Sequence, residues 1–305
     1  MSHDHTTFRP RLAAGFVVAT LLLGATACSS PETVPAADEE TNSAESASPP
    51  VASGEKLVVH RDGYNVVSYV TAGTTGTIVL DAGGGNDASY WNELAPQLAA
   101  STSATIVTYD RTGVGQSDEV PGAFSPAAAG DDLAAVIESI DRPEGPVVLV
   151  GHSIAGEVAH ALVSSHSQLI DGAVLIDANL PPFFTPEQTA RLVEENRDAV
   201  EELKAAPSTR QIRQFIAAAE NWGPVHNKFY TATWPSDLPV AVIVSEQTPF
   251  TENAEDAQNW RDAAELFASE ADNRSLLTAK NTSHDVPLDD PELVERAIAE
   301  MFASF

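Results

Sequence analysis

The sequence predicts an α/β domain, a mostly parallel sheet with helices on both faces and an inserted helical cap. From Glu55 onward, apolar runs of four or five residues alternate with segments of helical periodicity. Runs that are apolar along their whole length suit strands buried on both faces, the condition of a parallel sheet covered by helices. The alternation stops at Pro181-Pro182 and resumes only at LPVAVIVSE, about 55 residues later. That gap is longer than a plain crossover needs.

The elements follow in order. KLVVHRDG and YNVVSYVTAG read as a hairpin turning at Gly63. TIVLDAGGG is a strand, SYWNELAPQLAA a helix and ATIVTYDR a strand. SPAAAGDDLAAVIESI is a helix, PVVLVGHS a strand, IAGEVAHALVSSH a helix and GAVLIDAN a strand. The insertion, about 181–238, carries the helical charge pattern QTARLVEENRDAVEELKAA and aromatics at Phe183, Phe184, Phe215, Trp222, Phe229, Tyr230 and Trp234. After it come strand LPVAVIVSE, helix AEDAQNWRDAAELFASEA, strand RSLLTAK and helix DPELVERAIAEMFAS.

Ahead of this domain (55–305) the chain is of another kind. Residues 1–27 read as an export signal: Arg9 and Arg11 flank an apolar run from Leu12 to Leu23, and Ala25-Thr26-Ala27 follow. Cys28 is the only cysteine, so an intramolecular disulfide is excluded. Its position resembles the lipobox of bacterial lipoproteins, with Ala25 where that pattern usually has Leu. The resemblance implies lipidation of Cys28 and an outward-facing anchor on the cell membrane, with plain secretion or a retained anchor helix as the alternatives. Residues 28–54 are rich in Ser, Pro, Ala, Glu and Thr, without Lys or Arg, and read as a disordered linker. The whole chain of 305 residues has a formal net charge of -28, which argues against nucleic-acid binding.

Chemistry concentrates at the corners of the predicted sheet. Gly151-His152-Ser153-Ile154-Ala155 lies at a strand-to-helix junction, the context of a nucleophile elbow, where a serine stands on a strained turn between small residues. Ala155 takes the place of the commoner Gly, and Gly156 follows. A bland N-cap would also explain Ser153. His284, after the last strand and before the last helix, would reach the same sheet edge as a general base. Gly83-Gly84-Gly85 at another strand end lets main chain approach a reacting carbonyl, and the N–H groups of Gly84 and Ile154 are expected to hold an oxyanion. The remaining histidines show no metal-ligand spacing.

These pieces together, with YDRTGVGQSD between them, resemble the α/β-hydrolase superfamily, with serine esterases as the kin. DAGGG departs from the usual His-Gly pattern of that fold. Two carboxylates end core strands between Ser153 and His284, namely Asp177 and Glu246. The family's usual acid position falls on Thr248, but LIDAN resembles the subset whose acid ends the preceding strand. The resemblance thus implies Asp177 as the triad acid, with Glu246 the alternative and Asp237 or Asp256 behind it. The expected activity is cleavage of an ester-like bond in a small apolar molecule through an acyl-enzyme, with no cofactor and no metal. Two other classes stay open. One is a hydrolase-fold surface lipoprotein that binds without catalysis. The other is a nicotinamide dinucleotide site on Gly83-x-Gly85-x-x-Ala88 with Asp110 on the ribose.

Overall fold

The structure is a computed structural model and describes residues 52–305. The expected export signal, Cys28 and nearly all of the expected linker lie outside the described residues. The strands are β1 (Glu55–His60), β2 (Asn65–Thr71), β3 (Thr77–Asp81), β4 (Thr105–Asp110), β5 (Val147–His152), β6 (Gly172–Ile176), β7 (Val240–Ser245) and β8 (Arg274–Ala279). They form one eight-stranded sheet in the order β1-β2-β4-β3-β5-β6-β7-β8. β1 and β2 form an antiparallel hairpin, and β2 runs antiparallel to β4. All other pairings are parallel.

Every residue of β3, β4, β5 and β6 is buried. Successive side chains still divide between two cores. Leu149 packs on one face with Leu133, Leu162 and Leu175. Its neighbours Val148 and Val150 pack on the other with Ile78, Leu98 and Ile298. A strand that must be apolar on both sides has no polar alternation to show, which is why these runs read as continuous.

The helices are α1 (Leu94–Thr102), α2 (Pro126–Ser139), α3 (Ala155–His166), α4 (Pro186–Ala205), α5 (Arg210–Glu220), α6 (Trp222–Phe229), α7 (Ala254–Ser269), the single turn α8 (Val286–Asp289) and α9 (Pro291–Ala303). Side-chain oxygens of Ser125, Thr185 and Thr209 cap the amides of α2, α4 and α5. The expected helix over SYWNELAPQLAA is broken. A 3₁₀ turn spans Ala88–Trp91, and α1 begins only at Leu94. Pro96 explains the break, since a continuous helix would press its ring against the carbonyl of Asn92.

Helices α4 to α6 make up the insertion between β6 and β7. Arg210 of α5 donates to the carbonyls of Gly113 and Gly115 at 2.8 Å each. Gln214 donates to the carbonyl of Thr112 at 2.7 Å. Register then assembles the site. Asp81 pairs with Gly151, Ile176 with Ile243, and Ser245 with Ala279, so the chain leaves β3, β5, β6, β7 and β8 along one edge.

Helices α2 and α3 meet at Gly130, where a Cβ would stand 2.9 Å from the Leu162 amide nitrogen and 3.0 Å from the Ala161 methyl. Alanine is favoured over glycine in a helix interior by about 1 kcal/mol, but overpacking costs about 1–3 kcal/mol. Gly130→Ala is therefore expected to lower the urea midpoint, and a raised midpoint would show that the helices part freely.

Candidate active site

β5 ends at His152, and Ser153 turns the chain with φ 57°. A non-glycine residue in this left-handed region is strained by about 1–2 kcal/mol, so the bend must be held. The Ser153 N–H donates to Ile176 O at 3.2 Å, and its carbonyl accepts from Gly156 N at 3.0 Å and Asn179 N at 2.8 Å. Gly151 faces Ala155 at a distance that would leave an added Cβ 3.3 Å from the Ala155 methyl. One small residue thus makes room for the other. Gly156 has no such slack, since a Cβ there would lie 2.2 Å from Asn179 O.

Asp177 follows β6 in another positive-φ turn, at 41°. Its buried carboxylate receives every donor it needs. Oδ1 accepts from Ser245 N at 3.0 Å and the Trp260 indole at 2.9 Å. Oδ2 accepts from Ser245 Oγ at 2.7 Å and His284 Nδ1 at 2.8 Å. Burial alone would raise this acid, but the bonds from His284 and Ser245 and the His284 charge outweigh it and hold the carboxyl below its ordinary range. Thr248, at the family's usual acid position, takes a φ of 57° and donates its N–H to Ser245 Oγ at 2.9 Å. That position now steadies the group that steadies Asp177.

His284 stands in the loop between β8 and α8, where Ser283 binds Asp289 through N–H and Oγ at 2.6 Å each. A carboxylate only accepts, so His284 Nδ1 carries the proton toward Asp177. Nε2 is left to accept from Ser153 Oγ at 2.9 Å. Such a chain can take the hydroxyl proton and stabilise the imidazolium that results. The alternative acid Glu246 is placed elsewhere. It is exposed, with Oε2 accepting from Asn281 N at 2.6 Å. Asp256 binds Gln188 and Arg191 of α4.

Gly84 and Ile154 line one cleft beside the serine, and the N–H of neither meets an acceptor among the described residues. Arg111 secures the loop from behind, reaching Asp81, Ala82 O and Gly83 O. On the other side, Ser153 and His284 face a pocket walled by Phe183, Phe184, Trp222, Phe250 and Trp260, with Asn179 among them. Of the cap aromatics, Phe229 and Trp234 instead enclose His160, with ring centroids 5.1 Å away in each case.

Residues 78–297 match the Alpha/beta hydrolase family. The chain belongs to that family. Among individual relatives, protein YqjL of Bacillus subtilis (strain 168) is 23% identical over 233 residues, 75% of this chain and 84% of that protein. An esterase from Thermogutta terrifontis superposes with TM-score 0.55 at 21% identity, over 82% of this chain and 99% of the other. The esterase EaEST from Exiguobacterium antarcticum does so with TM-score 0.59 at 15% identity, over 82% and 100%. At these identities the structural likeness speaks to the fold alone.

Within this alpha/beta hydrolase, the dinucleotide alternative loses its acid. Asp110 is buried and bonds Ala88 N at 2.8 Å, Gln116 N at 2.7 Å and Tyr69 OH at 3.2 Å. One residue that sequence reasoning missed is His152, which it left without a role. Its ring lies 4.8 Å from that of His284, stacks on Tyr90 at 5.3 Å, and donates from Nε2 to His284 O at 2.9 Å. The hydrolase thus holds its imidazole from the side chain and the main chain at once. A signal that was available is the place of His152 beside Ser153 at the end of the apolar run Val147–Val150.

Burial pushes His152 down to about 3, with the neighbouring His284 adding to it, and burial pushes His160 down to about 4. An unfolded histidine titrates near 6.5, so below that pH the unfolded chain takes protons the fold refuses. Stability should fall as pH drops from about 6.5 to about 4, by up to about 3 kcal/mol per pH unit for the two sites together. Denaturation at stepped pH checks this. His160→Gln should roughly halve the slope, and a flat profile would mean that both rings carry charge in the fold.

Proposed function

We propose that this chain is a serine hydrolase cleaving an ester-like bond of a small apolar substrate through an acyl-enzyme. The observation that carries the reading is the continuous Ser153–His284–Asp177 chain, at 2.9 Å and 2.8 Å. His284 Nε2 takes the Ser153 proton as Oγ attacks the carbonyl carbon. The oxyanion forms against the Gly84 and Ile154 N–H groups, at the start of α3, whose dipole favours negative charge. The imidazolium then returns its proton to the leaving oxygen. Water, deprotonated by the same nitrogen, attacks the acyl-enzyme, and the imidazolium returns that proton to Ser153 Oγ as the acid leaves. A serine in place of a carboxylate nucleophile argues against alkyl-ester chemistry such as dehalogenation. The aromatic pocket wall favours an apolar group.

The test is a fluorophosphonate probe followed by an ester assay. Labelling of the wild type but not of Ser153→Ala is expected, and labelling of neither would favour a binding protein without catalysis. Asp177→Asn should lower kcat by about 10⁴, because the imidazole loses its tautomer, whereas Glu246→Gln should change it less than about tenfold. Loss of activity only in Glu246→Gln would overturn the assignment of the acid.

We also propose, from the sequence, that the enzyme is exported and anchored through lipid on Cys28. Cys28→Ser is expected to move it from the membrane fraction into the medium, with mass spectrometry of the mature N-terminus as the check. An unmodified N-terminus on membrane-bound wild type would contradict this.

A further inference from the structure

The pocket that holds Ser153 and His284 has one polar side chain in its apolar wall, Asn179, which is only 8% exposed. Its backbone is clamped by the N–H bond to Ser153 O at 2.8 Å and by the contact of its carbonyl with Gly156. Its amide is clamped as well. Nδ2 donates to Glu157 Oε1, the oxygen that also receives His226 Nε2 at 3.0 Å from the cap helix α6. His226 is fixed in turn through Nδ1 and Trp222 O, 2.8 Å apart. Turning the amide over would set oxygen against oxygen, so the network dictates that Oδ1 points away from Glu157.

Among the described residues Oδ1 has no hydrogen-bond partner. It also differs from Glu157 Oε2 and His160 Nε2, which are sealed from solvent without partners. Oδ1 is not among those sealed atoms, and the pocket that Asn179 lines is the one beside the reacting serine. A fixed acceptor in an otherwise apolar wall discriminates strongly, because a ligand without a donor leaves it dry and unpaired.

We propose that Asn179 Oδ1 accepts a hydrogen bond from a hydroxyl or N–H group close to the scissile carbonyl, so that the preferred substrates are hydroxy- or amido-substituted esters and not plain hydrocarbon esters. The inference rests on the hydrolase reading and narrows its substrate class. Asn179 acts here as a specificity-determining residue, oriented from the cap through Glu157 and His226.

Two matched ester pairs, each exchanging hydroxyl for methyl, test this on the wild-type chain. 1-Naphthyl 2-hydroxypropionate against 1-naphthyl 2-methylpropionate places the donor in the acyl part. 2-Hydroxyphenyl butyrate against 2-methylphenyl butyrate places it in the alcohol. With kcat/KM divided by the rate of hydroxide-catalysed hydrolysis, the hydroxyl member of at least one pair is expected to lead by about tenfold. Asn179→Leu should bring that ratio close to one. Should that variant not fold, Asn179→Ala gives the same comparison, and the wild-type ratio needs no variant. Equal normalised values in both pairs overturn the inference while leaving the hydrolase reading intact, and so does a preference that survives the loss of Asn179. No cleavage of any of the four esters, with no fluorophosphonate labelling, removes both.

Discussion

The close approach of α3 to the chain leaving β6 is the constraint from which the rest of the site follows. Gly156 lets the helix come against the Asn179 carbonyl, and Asn179 N in turn holds the Ser153 carbonyl. A single contact therefore locks the strained serine turn and fixes the path of Asp177 and Asn179, which lie on the same stretch. Strain of this kind persists only where the surroundings over-determine it. Two positive-φ residues, Ser153 and Asp177, sit on either side of that contact. The enlargement from glycine to alanine at 155 is harmless because the tight point has moved one residue along.

Buried charge explains the second layer. A carboxylate withdrawn from water is costly unless donors replace its hydration, and Asp177 is met by Ser245, Trp260 and His284 together. Those donors come from β7, from α7 and from the loop after β8, so stabilising one acid draws three separate parts of the fold toward the serine. His152 adds the complementary piece. Being neutral, it supports the His284 main chain without placing a second positive charge beside the imidazolium that the reaction would create. Glu157 does for the cap what Asp177 does for the core, joining His226 of α6 to Asn179.

The strands were legible because burial on both faces leaves a local, one-dimensional mark, and so were the corners, where Ser153, His284 and the glycines of 83–85 interrupt apolar runs. The break before α1 was legible in principle from Pro96. The acid was not decidable in that way. Asp177 and Glu246 each end a core strand, and only the pairing of Ile176 with Ile243 and of Ser245 with Ala279 shows which carboxylate the histidine loop reaches. His152, Ser245 and Asn179 escaped for the same reason, since each matters through a partner from 68 to 132 residues away, or on a neighbouring helix.

Periodicity and chemical type along the chain therefore determined the layered sheet, the inserted cap and the residues able to attack a carbonyl or to carry a proton. They could do so because hydrophobic burial and turn chemistry act on near neighbours. The direction in which each polar group points was decided only when the sheet closed. Hydrogen bonds reach about 3 Å, and no local pattern brings residues from distant strands within that distance.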